Sequence, residues 1–395
     1  ITVPWECYQQ YGDTILLSEH YDAMKRYIQY IIDNTIETET NLIVQTRSWG
    51  DLCDWLGLED EKNDKSLVWE AYFIYDLELM AKMATVLGKV TDAEWFRELH
   101  AARKDFFNKT YIEPETGKTL FSAFVPEKKG SHIDIQTSYV LPLAFNIIDE
   151  ENRNKVIANL AETVRRENTT DRGQQCPSYS LMTGFIGTSW INKALSDYGY
   201  SDLAYRLLQQ TSYPSWLYSI EQGATTIWER LNSYTRTDGF GGNNRMNSFN
   251  HYSFGAVGAW MYNYSLGIQR DETFPGFKQF VLKPMPDPTG NMTYARGYYD
   301  SMYGRIESGW KVESGVIRYT FTVPANTTAT LYLPTASLRD VREKTKPVRK
   351  CKGVEFISEG NGEVVLKLLS GSYSFEVKKD YPLAARKRKK YVFVR

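Results

Sequence analysis

Leu67-Val-Trp-Glu-Ala-Tyr-Phe-Ile-Tyr-Asp-Leu-Glu-Leu-Met-Ala-Lys-Met-Ala-Thr-Val-Leu87 decides the fold of the front of this chain. Its apolar residues recur at helical spacing. Ser66 precedes it, and Gly88 stands where a C-terminal glycine belongs. Thr91-Asp92 then opens a second helical run at once. The same spacing predicts helices over 21–36, 92–107, 137–148, 153–164, 188–198, 202–210 and 248–266. Helix–loop–helix alternation over residues 1–268, with motif-bearing loops, implies an (α/α)6 toroid whose active site lies in the loops at one end. The helices are fewer than a six-hairpin ring needs. The expectation is therefore an N-terminally incomplete ring, its front helices preceding Ile1.

After Gly267 the texture changes. Pro275-Gly and Pro284-Met-Pro-Asp-Pro break the helical pattern, and short runs of period two follow, such as Val316-Ile-Arg-Tyr-Thr-Phe-Thr-Val and Ser372-Tyr-Ser-Phe-Glu-Val. They predict an antiparallel β-sandwich over 269–380. The Arg386-Lys-Arg-Lys-Lys run falls in a basic tail, 381–395, and reads as solvated, having no comparable basic companion.

Bulk composition narrows the function classes. The 395 residues carry a net charge of −1 with 24% charged side chains, which implies neither a nucleic-acid nor a membrane partner. No apolar run is long enough to span a bilayer. Cys7, Cys53, Cys176 and Cys351 lie far apart with no CxxC, so neither a zinc site nor a disulfide framework is expected. No P-loop or dinucleotide-binding glycine motif occurs, and no cofactor is implied. The 10 Trp and 28 Tyr suit carbohydrate handling, although a large helical core also consumes aromatics.

The chemistry concentrates in Gly223-Ala-Thr-Thr-Ile-Trp-Glu-Arg230, followed by Asn247-Ser-Phe-Asn-His-Tyr252. Asp238-Gly-Phe-Gly-Gly-Asn-Asn244 lies between them. Glu229 sits in a short, polar, helix-poor segment, a better place for a proton-transfer carboxylate than a helix face. Trp228 offers an aromatic platform beside it, while Asn250 and His251 supply groups that read sugar hydroxyls. The bland alternative is a surface Glu229–Arg230 ion pair at a helix start, and His251 could equally be structural. Trp49-Gly-Asp-Leu-Cys-Asp-Trp-Leu56 is the second loop of interest. Asp54 and Trp55 could floor a sugar subsite, or Trp55 could plug the ring end. Thr183-Gly-Phe-Ile-Gly-Thr188 also lies at a loop end and is expected to position backbone more than to touch ligand.

Together these motifs resemble the bacterial α-L-rhamnosidases of glycoside hydrolase family 78. So do Val3-Pro-Trp, Gln136-Thr-Ser-Tyr, Ala194-Leu-Ser-Asp and Tyr213-Pro-Ser-Trp, in order from residue 1 to about 335. The resemblance implies an (α/α)6 barrel followed by a β-sandwich. It implies inverting hydrolysis of terminal α-L-rhamnosides without an organic cofactor, acting on a rhamnose-containing glycoside or oligosaccharide. Carried over by motif, Glu229 is the general base, and His251, Trp55 and Asp54 line the rhamnose subsite. The family's general acid belongs to a motif ahead of Val3-Pro-Trp, so it is expected upstream of this chain. Cys53 replaces a family glycine, Leu231 stands where a Trp often follows Glu-Arg, and 168–180 looks like an insertion. Two other readings stay open: a non-catalytic carbohydrate-binding or scaffold module, and another inverting (α/α)6 glycosidase. Compartment and oligomeric state are not assigned.

Overall fold

The computed structural model describes residues 1–45, 52–241, 246–313, 315–343 and 346–378. Trp49 and Asp51 of the second loop, Asn243 and Asn244 of the glycine-rich loop, and the basic tail lie outside them. The chain divides into two compact units, Ile1–Trp260 and Met261–Arg395, where the sequence reading places the boundary at 268/269.

The first unit is helical. α1 (Thr2–Tyr11) and α2 (Ile15–Thr35) lead into α3 (Lys65–Val86) and α4 (Val90–Tyr111), then α5 (Gln136–Ala144) and α6 (Glu150–Arg165). A two-stranded hairpin follows, β1 (Asn168–Thr169) with β2 (Gln175–Cys176), and it occupies the stretch read as an insertion. Short helices complete the unit: α7 (Phe185–Thr188), α8 (Ile191–Asp197), α9 (Ser201–Gln209), α10 (Trp216–Glu221) and α11 (Val257–Trp260). α2 buries one stripe, Leu17, Tyr21, Met24, Ile28 and Ile31, at alternating spacings of four and three. α3 differs, because its buried residues run from Ser66 to Ala84 on every face. A helix apolar all round is enclosed by its neighbours, which is the position of an inner helix in a layered helical fold.

Local signals set the ends of α3. Asp64, not Ser66, caps it, accepting from Ser66 N at 2.9 Å. Gly88 takes the left-handed conformation (φ 71°), which lets α4 fold back against α3. The expected helix over 248–266 is instead broken. A 3-10 turn at Ser253–Ala256, the single α-turn of α11 and a π-turn at Met261–Ser265 succeed one another. Gly255 and Gly258 lower helix propensity there. Gly255 also lies against Ile227, whose Cγ1 would sit 3.2 Å from an added Cβ.

One buried ion pair joins the helices. Glu70 of α3 is fully buried, and Arg103 of α4 is 4% exposed. Arg103 donates Nε to Glu70 Oε1 at 2.7 Å and Nη2 to Glu70 Oε2. Its Nη1 and Nη2 also donate to Oδ1 and the carbonyl of Asn41 at 2.8 and 3.1 Å. The guanidinium thereby fastens α3, α4 and the turn after α2 together.

The second unit is a sandwich of two sheets. Its strands are β3 (Ile268–Arg270), β4 (Gln279–Leu282), β5 (Tyr294–Ser301), β6 (Gly304–Glu313), β7 (Val316–Val323) and β8 (Thr328–Leu333). β9 (Val341–Glu343), β10 (Lys346–Pro347), β11 (Val354–Gly360), β12 (Glu363–Leu368) and β13 (Gly371–Lys378) follow. One sheet runs β10-β9-β13-β7-β6-β5 and the other β11-β12-β8-β4-β3. Alternate residues face the core, as in Ile317, Tyr319, Phe321 and Val323 of β7 and Val364, Leu366 and Leu368 of β12. Among the described residues the pairing departs from a wholly antiparallel sandwich at one place, where β4 runs parallel to β8. Trp310 is buried among these side chains and donates its indole N–H to Ser265 O at 2.8 Å.

Arg103→Ala would leave the Glu70 carboxylate buried without a partner. Chemical denaturation should show a loss of about 3–5 kcal/mol. A loss below about 1 kcal/mol would mean that the pair is not the strut its burial implies.

Candidate active site

Glu229 lies in an irregular segment between α10 and α11, in the helical unit. The segment begins at Gly223, whose φ of 106° suits glycine alone. It runs beside residues 246–253 and is tied to them by reciprocal bonds. Glu229 N donates to Ser248 O at 2.9 Å, and Ser248 N donates to Glu229 Oε2 at 2.8 Å. His251 N donates to Ile227 O at 2.9 Å, and Thr226 Oγ1 bonds to Phe249 O. One carboxylate oxygen is thus held by a backbone N–H while the other has no protein partner among the described residues. The surface ion pair of the bland reading is absent there. Arg230 instead donates Nε to Met246 O at 3.1 Å.

His251 is half-buried and lies against two rings. It stacks on Phe185 at 4.7 Å and on Tyr252 at 5.5 Å. Its Nδ1 accepts from Ser253 N at 3.4 Å, which leaves the ring proton on Nε2 as a donor to a ligand. Asn250 is exposed, with its backbone N on Ser248 Oγ at 3.2 Å. Trp55 is 40% exposed, free enough to offer a ring face to a sugar.

Two expected contacts are corrected. The Trp228 indole is only 7% exposed and packs edge-on against Phe249 at 5.3 Å. It is a packing residue of the Glu229 segment, and of the two indoles only that of Trp55 is open to solvent. Asp54 is 1% exposed, and all four of its acceptor positions are filled from within the protein. Oδ1 accepts from Ile186 N and Gly187 N, each at 2.9 Å. Oδ2 accepts from Gly184 N at 2.8 Å and from the Thr137 hydroxyl. Burial pushes this carboxyl up, and the hydroxyl and backbone donors pull it back toward the ionised form. No lone pair is left for a substrate, so Asp54 acts as a remote cap on α7.

That cap reaches both halves of the site. Trp55 is the next residue, and its carbonyl accepts from Phe185 N at 3.0 Å. Phe185, between the capped amides, is the ring on which His251 stacks. Gly184 permits the crossing, since a Cβ there would lie 2.3 Å from the carbonyl oxygens of both Asp54 and Trp55. The Thr183–Thr188 motif thus positions backbone, as its sequence suggests. The contributions of Thr137 and Phe185 were missed. Their sequence signals were the Thr183–Thr188 motif at a loop end and Gln136-Thr-Ser-Tyr among the family-like motifs.

Glu59, also missed, lies below this loop at 5% exposure. Its Oε1 is 3.5 Å from Lys62 Nζ, and Oε2 is covered without a partner. Among the described residues no cluster of three or more His, Cys, Asp or Glu is placed to hold a metal ion, and no helix is long and apolar enough to cross a membrane.

A ring of helical hairpins whose end loops carry a carboxylate, an imidazole and an open indole is the plan of a six-hairpin glycosidase domain. Residues 1–265 match the family model of the bacterial alpha-L-rhamnosidase 6 hairpin glycosidase domain, and residues 267–347 match that of the bacterial alpha-L-rhamnosidase C-terminal domain. The chain belongs to this bacterial α-L-rhamnosidase family. An alpha-L-rhamnosidase of Formosa agariphila is 31% identical over 95% of this chain and 38% of its own length. One from Streptomyces avermitilis is 33% identical over 95% of this chain and 32% of its own. The chain therefore spans about a third of the curated relatives it matches. The crystal structure of the Streptomyces avermitilis alpha-L-rhamnosidase complexed with L-rhamnose superposes with a TM-score of 0.79 at 31% identity, covering 96% of this chain and 32% of that one. The alpha-L-rhamnosidase from Dictyoglumus thermophilum gives 0.77 at 29%, covering 96% and 39%.

Asp54→Asn keeps the shape but sets an amide NH2 against backbone donors. Stability should fall by about 2–3 kcal/mol in urea titrations, and the His251 ring resonances should broaden as Phe185 loosens. An unperturbed His251 spectrum would show that the cap does not hold the ring. Glu59 gives a pH prediction. Burial pushes its carboxyl up to about 7 from 4.5, against Lys62 and Arg166. Between those values the folded chain holds a proton that the unfolded chain has released, so stability falls as pH rises through the window. Glu59→Gln should exceed the parent in urea midpoint above that window and converge with it below. A pH-independent difference would show that the proton is not bound there.

Proposed function

We propose that the protein hydrolyses terminal α-L-rhamnosides with inversion of configuration, and that Glu229 is the general base. The rhamnose ring lies against the Trp55 indole, and His251 Nε2–H donates to one of its hydroxyls. The Glu229 oxygen without a protein partner accepts a proton from water as that water attacks the anomeric carbon. A second carboxyl protonates the departing glycosidic oxygen from the opposite side, roughly 6.5–9.5 Å from Glu229, the spacing that admits a water in inverting enzymes. Asp54 and Trp228 take no part in contact. The first holds the loop beneath Trp55 and His251, and the second is a packing residue of the Glu229 segment.

The observation that supports this best is the state of the Glu229 carboxylate. Ser248 N–H fixes its direction through Oε2, while Arg230 is turned to Met246 O and does not neutralise it. A base needs that combination of fixed orientation and unspent acceptor capacity. Family membership supports the substrate class, as does the bound L-rhamnose of the Streptomyces avermitilis relative.

Glu229→Gln should reduce kcat on an aryl α-L-rhamnoside by roughly 10²–10⁴ with little change in KM. Proton NMR of the parent reaction should show β-rhamnose as the first product. Release of the α-anomer first, or a Glu229→Gln enzyme within a few-fold of the parent, sinks the assignment.

A further inference from the structure

Beside Trp55 the helical unit carries a pocket of about 340 Å³. That is within the range of small-ligand sites, roughly 300–1,000 Å³. Trp55, Asp60, Asp171, Arg172, Tyr213 and Arg230 are among its lining residues. It adjoins the site already described at three points. Trp55 belongs to both, and Arg230 follows Glu229 in the chain. Phe254 in its wall packs edge-on at 5.3 Å against Phe185, the ring under His251.

One wall is the β1–β2 hairpin, which supplies Thr170, Asp171, Arg172 and Gln174. This wall is preformed. Asn168 pairs with Cys176 and Thr169 with Gln175, and Gly173 makes the turn at φ 78°. Asp171 N donates to Leu58 O at 2.8 Å, Glu61 N donates to Asp171 Oδ2 at 2.9 Å, and Lys62 Nζ bonds to Thr169 O. A hairpin fixed in this way loses little further freedom when a ligand binds.

The chemistry of the lining is unspent. Among the described residues neither Arg172 nor Arg230 forms an ion pair, and Arg230 uses only Nε on protein. Asp171 serves the wall itself, since its Oδ2 accepts from Glu61 N and its Oδ1 is covered, which leaves the exposed Glu61 as the open carboxylate of the lining. Both guanidiniums lie close enough to act on the Tyr213 hydroxyl, drawing its proton affinity down against the larger effect of burial. Carboxylates that accept from hydroxyls, guanidiniums that bridge neighbouring hydroxyl oxygens, and aromatic rings that cover an apolar ring face are what a pyranose requires. A flat aromatic group would be better served by an apolar slot.

We infer that this pocket receives the sugar to which the rhamnose is joined, and that the β1–β2 hairpin is the wall that selects a hydroxylated pyranose leaving group. The inference rests on the rhamnosidase reading and extends it from the sugar released to the sugar left behind.

The test compares a rhamnosyl-hexose disaccharide with an aryl α-L-rhamnoside, in the parent enzyme and in Arg172→Ala. Arg172 is exposed, so its loss leaves the core intact. The ratio of kcat/KM values, disaccharide over aryl, should fall roughly ten-fold or more, the effect of losing a charged hydrogen bond to the leaving group. Calorimetric titration of the parent should show the disaccharide binding more tightly than methyl α-L-rhamnoside, with that advantage lost in Arg172→Ala. A ratio and a binding advantage that the substitution leaves unchanged overturn the subsite, even if aryl rhamnoside turnover is normal. Absence of aryl rhamnoside turnover in the parent, with Arg172-dependent disaccharide binding retained, keeps the subsite and overturns the proposed function instead.

Discussion

A single carboxylate, that of Asp54, is the point through which the loops of the helical unit are held. It accepts from three backbone amides at the start of α7 and from the Thr137 hydroxyl of α5. Buried charge is costly unless its hydrogen-bonding capacity is met, and here it is met in full. The same bonds satisfy amides that a four-residue helix would otherwise leave orphaned. Two structural needs thus cancel at one residue. Because Trp55 follows Asp54 and Phe185 lies among the capped amides, the indole platform and the support of His251 share one anchor. Gly184 lets the two backbones pass in contact, at a distance no side chain would allow.

Hydrogen bonds from side chains to main chain do similar work elsewhere in the site. Ser248 N–H aims Glu229, and Asn247 Nδ2 donates to Ser233 O at 2.8 Å. Segments 223–233 and 246–252 have no repeating secondary structure, so such bonds, with the packing of Trp228 on Phe249, give them their shape. Loops fixed by local bonds on a rigid helical frame can carry chemistry without the frame changing.

The helices of the front half were legible because burial writes a period into the sequence. α3 to α6, α8 and α9 lie within a few residues of their expected spans, while α2 starts at Ile15, ahead of its expected start at Tyr21. The broken stretch 253–265 was not, since its aromatic residues mimic an apolar stripe while its glycines undo the helix. The sandwich was legible from its alternation, but the parallel β4–β8 pair was not, because partner choice leaves no trace in a single strand. Glu229, His251 and Trp55 stood out as candidates because their neighbours are chemically unusual. Asp54 was found for the wrong reason. Its Thr137 and Gly184 partners are 83 and 130 residues away, and only the fold shows that they use up its oxygens. Trp228 failed in the same way, since an indole beside a carboxylate looks the same in sequence whether open or buried.

The parallel pairing of β4 with β8 also bears on how the sandwich is made during synthesis. β4 can zip against β3 as soon as it leaves the ribosome, but its other edge finds its partner only after β5, β6 and β7 have been made. Those three strands form antiparallel ladders between chain neighbours and can close as they emerge. Each sheet therefore waits on a distant segment to close, β4 on β8 in one and β7 on β13, the last strand made, in the other. During that wait β4 presents an open, half-apolar edge, the kind of surface on which nascent chains mispair.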